Sequence, residues 1–208
     1  MTLSVQQLQC SRGDLVVFQG LSFTLEAGKL LWVEGKNGSG KTTLLRTVCG
    51  LFLADEGEVQ WHGQLTKKIP EEYYRQLLYI GHQNALKVDL TALENLQLLC
   101  RLAGQDVSEA DIENALFEMG LAGYEDVAVR QMSQGQQRRV ALSRLLLTDA
   151  SLWVLDEPFV ALDVAAVELL QSIIVKQVEE GGMVMLTTHQ AVPLPADKMQ
   201  HLSLDQYV

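Results

Sequence analysis

Residues 3–9 and about 15–25 alternate apolar and polar positions, the period of a strand with one buried face. They predict antiparallel strands near the start of the chain, and Val59-Gln60-Trp61 is a further short strand candidate. Leu30-Leu31-Trp32-Val33, Leu152-Trp153-Val154-Leu155 and Met183-Val184-Met185-Leu186 are continuous apolar runs instead. Unbroken runs of that length suit strands covered on both faces, as in a parallel sheet between helices. Leu44-Leu45-Arg46-Thr47-Val48 reads as a helix following the first run, and His201-Leu202-Ser203-Leu204 as a short strand-like tail.

A mixed polar and apolar stretch, roughly residues 85–148, predicts helices. Ala92 to Leu102 carries leucines at helical spacing, Ser108-Glu109-Ala110-Asp111 resembles a capped helix start with an acidic first turn, and Gly120 is a plausible stop. The expected fold is one α/β domain over residues 1–208: N-terminal antiparallel strands, a core of parallel strands, and a helical subdomain inserted at about 85–148.

Between the first apolar run and its helix lies Gly35-Lys36-Asn37-Gly38-Ser39-Gly40-Lys41-Thr42, followed by Thr43. It fits the phosphate-loop pattern G-x-x-x-x-G-K-[ST] in the strand–loop–helix setting that gives the pattern meaning. Glycines let the backbone fold so that successive N–H groups and the positive helix end cradle phosphate. Lys41 carries a full charge to the β- and γ-phosphates, and the Thr42 hydroxyl can ligate Mg²⁺. A Gly-rich turn kept for geometry alone does not require Lys-Thr directly after its last glycine.

Two further candidates stand at the ends of apolar runs. Asp156-Glu157 follows Leu152-Trp153-Val154-Leu155, and a carboxylate at the C-terminal end of a parallel strand faces the ligand crevice. Asp156 can hold Mg²⁺ through water, and Glu157 can orient and polarise an attacking water. His189 follows the Met183 run through Thr187-Thr188 and can contact a γ-phosphate; in isolation it reads more readily as a capping or satisfied structural histidine, and its position beyond a candidate core strand favours the phosphate role. His62, His82 and His201 read as surface or packing residues.

Composition narrows the partners. The formal net charge of −10 disfavours direct binding to nucleic acid backbones and adhesion to an anionic leaflet. Any membrane association is then expected to run through a protein. Cys10, Cys49 and Cys100 are widely spaced and fit neither a disulfide framework nor a zinc site. Buried thiols in a reducing cytoplasm are expected. No secretory leader is legible, and no uncharged apolar run approaches the roughly 18 residues needed to span a bilayer.

Met132-Ser133-Gln134-Gly135-Gln136-Gln137-Arg138-Arg139 closely resembles the L-S-G-G-Q signature of ABC-type ATPases, and the family's other motifs occur in order. Gln83 fits the Q-loop, Ala161-Leu162-Asp163 the D-loop, and His189 the switch histidine. The resemblance spans nearly the whole chain. It implies a P-loop NTPase (RecA-like) core that binds and hydrolyses ATP with Mg²⁺. It places Ser133, Gln134, Gly135 and Gln136 on the nucleotide of a second copy, in a head-to-tail homodimer, with Asp163 at the interface between copies. Glu157 and His189 would serve hydrolysis. Thr42, Asp156 and Gln83 would hold the metal, with Gln83 coupling the nucleotide to the helical subdomain.

Two positions depart from the family pattern. Gln134 replaces the first signature glycine, which is tolerable if phosphate contact comes from Ser133 and Gly135. Where the family stacks an aromatic on adenine, Arg12 stands between Ser11 and Gly13-Asp14. A guanidinium can stack on a planar base; equally, Arg12 reads as a solvated loop residue, with Phe18 in the core.

Gly81-His82-Gln83, Leu90-Thr91-Ala92-Leu93-Glu94-Asn95-Leu96, Gly135-Gln136-Gln137-Arg138-Arg139-Val140-Ala141-Leu142, Leu155-Asp156-Glu157-Pro158-Phe159 and Thr187-Thr188-His189-Gln190 together resemble the cytochrome c maturation ATPases, the heme exporter ATP-binding subunits. That resemblance implies a peripheral subunit on the cytoplasmic face of the bacterial inner membrane. Its partners would be an integral CcmB-like subunit, docked near Gln83 and Asn84 to Val88, and further maturation proteins. No heme attachment motif C-x-x-C-H occurs, so the chain itself is expected to bind no heme. The same motifs would serve a transporter of another small molecule. A DNA-repair or translation ATPase of the ABC type fits less well, because paired cassettes and long coiled-coil insertions are absent. A metabolic P-loop kinase has no use for the signature.

Overall fold

The computed structural model describes residues 1–207, which divide into two compact units. The first comprises Met1–Tyr79, Ala150–Glu157 and the described residues from Ile174 onward; the second comprises Ile80–Asp149 and Pro158–Ile173.

The first unit is built on two sheets. Strands β1 (Thr2–Arg12), β2 (Leu15–Glu26), β4 (Glu56–Trp61) and β5 (Gln64–Leu65) form an antiparallel sheet in the order β2-β1-β4-β5. The alternation of β1 slips by one residue. Leu3 and Val5 are buried, but the next buried positions are Leu8 and Cys10. The register shifts between Val5 and Leu8, where Gln7 takes a positive φ of 48°. This bulge returns Leu8 to the core side, which strict alternation would not.

The second sheet carries the three continuous apolar runs. In it β3 (Leu30–Glu34), β6 (Leu77–Ile80), β7 (Leu152–Asp156), β8 (Met183–Thr187) and β9 (Met199–Ser203) take the order β6-β7-β8-β3-β9. The pairs β7–β8, β8–β3 and β3–β9 are parallel. Every residue of β7 and β8 is buried, as two-faced coverage demands. Helix α1 (Lys41–Val48) joins the sheets: Leu44, Leu45 and Val48 share one hydrophobic cluster with Phe18 and Leu21 of β2 and with Val154 and Met185. A short helix, α2 (Pro70–Arg75), and β6 carry no periodicity long enough to be legible in sequence; Tyr73 of α2 is buried and donates to Val48 O at 2.9 Å.

The second unit is helical. Helices α3 (Ala92–Leu102), α4 (Glu109–Glu118) and α5 (Gln134–Leu142) each begin with a capping box, made by Thr91 with Glu94, Ser108 with Asp111, and Ser133 with Gln136. Each box satisfies two backbone donors that a helix start otherwise leaves open. The expected cap at Ser108 is present. Gly120 follows α4 at φ 68°. Helix α6 (Val164–Glu179) begins in this unit, with Asp163 Oδ1 accepting the N–H of Ala166 at 2.9 Å. Among the described residues no helix is long and apolar enough to cross a membrane.

Candidate active site

In the first unit the loop after β3 folds over the start of α1 and opens into a hollow of about 430 Å³. Asn37, Gly38, Gly40, Lys41, Thr42 and Thr43 form one wall, Asp156 and Glu157 another, and Arg12, Leu15 and Val17 the remainder. Lys41 Nζ donates to Gly35 O at 2.7 Å and Lys36 O at 3.1 Å. These bonds curl the loop around the ammonium and leave its third proton for a ligand. Gly40 sits at φ 96°, and a Cβ there would lie 2.3 Å from Val17 Cγ1, so only glycine fits between β2 and the helix start. The N–H of Lys36 donates to Asp205 Oδ1 at 3.2 Å, a brace from the C-terminal tail that no sequence pattern announces.

The donor set suits a phosphate. Ser39 Oγ and Thr43 Oγ1 are buried without a hydrogen-bond partner among the described residues. An unmet buried hydroxyl costs about 1–3 kcal/mol, and a phosphate oxygen beside each would remove that cost. The set also suits Mg²⁺. That ion typically takes one or two carboxylates with substrate phosphates and waters, so it needs no cluster of protein ligands. No group of three or more His, Cys, Asp or Glu among the described residues could hold a metal.

The carboxylates are organised by the end of β8. Asp156 is 2% exposed, and its Oδ1 accepts the Thr187 hydroxyl at 2.8 Å. The N–H of Glu157 donates to Thr187 Oγ1 at 2.9 Å and to Thr187 O at 3.1 Å. Glu157 has a φ of 48°, sparsely populated by residues other than glycine, and this turns it out of the strand. Its Oε1 lies 3.7 Å from His189 Nε2, beyond hydrogen-bond length but within reach of one reacting group. Asp156, Glu157, His189 and the loop thus belong to one unit, assembled at the C-terminal ends of β3, β7 and β8. Thr187 escaped sequence reasoning because its role exists only through strand pairing.

The remaining candidates, Gln83, Ser133, Gln134, Gly135, Gln136 and Asp163, belong to the second unit. Gln83 and Gln134 line one hollow of about 580 Å³ there, with Arg138 and Ala161. Ser133 Oγ accepts the Gln136 N–H at 3.2 Å, and Gln136 Oε1 accepts the Ser133 N–H at 2.9 Å. The hydroxyl proton of Ser133 remains available at the helix start. Gln134 is the first helical residue and is exposed. Gly135 is the tight position: a Cβ would lie 2.8 Å from Ala161 O.

Arg138 is the residue sequence reasoning undervalued. It is 3% exposed. It donates to Gly81 O at 2.9 Å, Asn84 Oδ1 at 3.1 Å and Pro158 O at 3.1 Å. One guanidinium therefore ties the segment around Gln83 to the signature helix and to the turn after Glu157.

Other expectations resolve plainly. Cys10, Cys49 and Cys100 are free and buried, and burial pushes each thiol's pKa up. Phe18 is fully buried. His201 packs its ring 5.3 Å from that of Trp32, and His62 packs 4.6 Å from Trp61.

The chain is similar to several known proteins. The family described as ABC transporter matches residues 18–160. The cytochrome c biogenesis ATP-binding export protein CcmA of Nitrosomonas europaea is 48% identical over 202 residues, covering 97% of this chain and 95% of that protein. Its namesake in Escherichia coli K12 is 48% identical over 204 residues, covering 98% and 97%. The solved structure of an ABC transporter ATP-binding protein from Pyrococcus furiosus superposes with a TM-score of 0.85 at 25% identity, covering 100% of this chain and 99% of the other. With its phosphate loop, its carboxylate-ended strand and its signature helix, the chain belongs to the ABC transporter family, within the cytochrome c biogenesis ATP-binding export proteins.

Proposed function

We propose that this chain is the ATP-binding and ATP-hydrolysing subunit of a bacterial inner-membrane transporter that powers heme export or delivery for c-type cytochrome maturation. The observation that carries the reading is 48% identity, over 97% of the chain, to a cytochrome c biogenesis ATP-binding export protein. Residues 1–208 then make one ABC-type cassette, with the helices of about 85–148 as its inserted subdomain.

In this reading the N–H groups of residues 35–43, the Lys41 ammonium and the Ser39 and Thr43 hydroxyls grip the phosphates of ATP. Thr42 and Asp156 would hold Mg²⁺, with Gln83 as the ligand that the family resemblance adds, and the ion when bound would supply neutralising charge for the phosphates. Glu157 orients the attacking water and accepts its proton, and His189 steadies the γ-phosphate. The hydroxyl of Ser133 and the N–H groups at Gln134, Gly135 and Gln136 serve the nucleotide of a second copy. ATP thereby favours a closed homodimer, and hydrolysis loosens it. The chain sits on the cytoplasmic face, held by a CcmB-like integral subunit and further maturation proteins. It contacts no nucleic acid and carries no heme itself.

The test is purification of the tagged chain from membranes, identification of the integral subunit that comes with it, and assay of c-type cytochromes in cells carrying Lys41→Ala. Loss of holocytochrome with the complex intact is expected. Normal cytochromes, together with a membrane partner from an unrelated transporter, would overturn the assignment.

A further inference from the structure

The segment that carries His189 is held on both sides while its imidazole is free to work. The His189 side chain is 77% exposed. Just before it, the carbonyl oxygen of Thr188 accepts the indole N–H of Trp32 at 3.1 Å. Just after it, the N–H of Gln190 donates to Thr188 Oγ1 at 2.9 Å. Thr188 itself is buried. The backbone around His189 is therefore oriented by bonds that owe nothing to the imidazole.

Trp32 is fixed in turn. It lies mid-strand in β3, in parallel register with Leu186 on one side and His201 on the other. The His201 ring packs against its indole at 33°, and His201 Nδ1 lies 3.4 Å from Glu34 Oε1. Trp32, Glu34, Lys41, Thr188 and His189 line a shared hollow of about 240 Å³. A buried indole N–H ordinarily finds a partner. Here the N–H is spent on the peptide carbonyl that leads into the one histidine facing Glu157.

We propose that Trp32 is a positioning residue for hydrolysis. Its indole N–H sets the orientation of the Thr188–His189 peptide and so the reach of His189 toward the reacting phosphate. The proposal rests on the role given to His189 above. Trp32 touches neither the water nor the phosphate in this scheme; it acts through Thr188.

The test is steady-state ATPase activity of the complex purified with its membrane subunit. Trp32→Phe keeps the ring and removes the donor. Turnover should fall about tenfold, since small misplacement of a reacting group is costly, while the KM for ATP stays within about twofold. In a His189→Ala background, Trp32→Phe should add nothing, because the group it positions is gone. Trp32→Leu likewise removes the donor while keeping an apolar side chain, and should reproduce the loss of turnover. Wild-type turnover in Trp32→Phe overturns the proposal. So does an equal loss in the His189→Ala background, or a KM that rises in step with the loss. If Trp32→Phe does not fold, Trp32→Leu decides, and wild-type turnover there counts against it. Wild-type turnover in His189→Ala alone would instead remove the underlying reading, and the proposal with it.

Discussion

The hydroxyl of Thr187 serves Asp156 and Glu157 at once. It donates to Asp156 Oδ1 at 2.8 Å and accepts the N–H of Glu157 at 2.9 Å. The proton direction is forced, because an ionised carboxylate only accepts and a backbone N–H only donates. A single side chain at the end of β8 thus spaces the two acids. It also helps hold Glu157 at its φ of 48°, a conformation that costs of order 1–3 kcal/mol outside glycine.

Thr187→Val keeps the shape and removes that hydroxyl. Asp156 then loses a buried partner, and the N–H of Glu157 loses its bond to the Thr187 hydroxyl while that to the Thr187 carbonyl remains. Stability should fall by about 1–3 kcal/mol. Turnover should fall about tenfold or more with ATP binding retained, because the acids lose their spacing rather than their identity. Urea unfolding, calorimetric ATP binding and ATPase assays check the three parts. Wild-type turnover would mean that the strand backbone alone positions the pair.

Much of this site is legible along the chain because its parts are local. Lys41 and Thr42 must follow the last glycine of their own loop, and Asp156 must end its own strand. Thr187, Trp32 and Arg138 are different. Thr187 meets Asp156 only because β8 pairs with β7 in a particular register, and Trp32 meets Thr188 across 156 positions of chain. Arg138 in sequence is one of two adjacent arginines on a helix; only the fold buries it beneath Gly81 and Pro158. The bulge at Gln7 is hidden for a related reason. A strand-period pattern with one extra residue looks like a broken pattern until the partner strand supplies the register.

The two central signature positions should respond unequally to substitution. Gln134 is exposed, begins α5, and is absent from the residues with positive φ. Glycine is not required there, and Gln134→Gly should change turnover by less than about threefold, at a helix cost of about 0.5–1 kcal/mol. At Gly135 a methyl group would meet Ala161 O at 2.8 Å, and Ala161 itself sits at φ 65°. Gly135→Ala must push the helix start or the D-loop aside, and should cost turnover about tenfold or more. Parallel ATPase assays of the two variants decide it. Equal, small effects would show that the D-loop yields freely.

Arg138→Lys should be far from conservative. Lysine presents a point charge, whereas the guanidinium meets Gly81 O, Asn84 Oδ1 and Pro158 O from a planar fork. One buried and one or two half-buried acceptors would lose their donors, a loss of about 1–3 kcal/mol. Chemical unfolding gives the magnitude, and amide exchange at residues 81–84 should speed up if the segment around Gln83 is released. Unaltered exchange there would confine Arg138 to holding its own helix.

Alkaline pH should destabilise the first unit through Cys49 and Tyr73. Burial, and secondarily the Asp156 charge, raises the pKa of Cys49 from its ordinary 9.0. Burial, followed by its neighbours Cys49 and Tyr74, raises that of Tyr73 well above 10.0. A raised folded-state pKa means that the native protein keeps a proton the unfolded chain has already lost. The penalty is absent below the unfolded pKa values and grows as pH rises past about 9, with a slope approaching 1.4 kcal/mol per pH unit for each group. Urea unfolding at about pH 7.5, 9 and 10 should show stability level over the first interval and falling over the second. Cys10 and Tyr79 are raised by burial as well and add to the loss; Cys49→Ala removes one of these groups, so its slope above pH 9 should be shallower than that of the unaltered chain, whatever the mutation costs at neutral pH. Identical slopes would mean that the thiol ionises as easily in the fold as outside it, which a side chain buried at the C-terminal end of α1 does not allow.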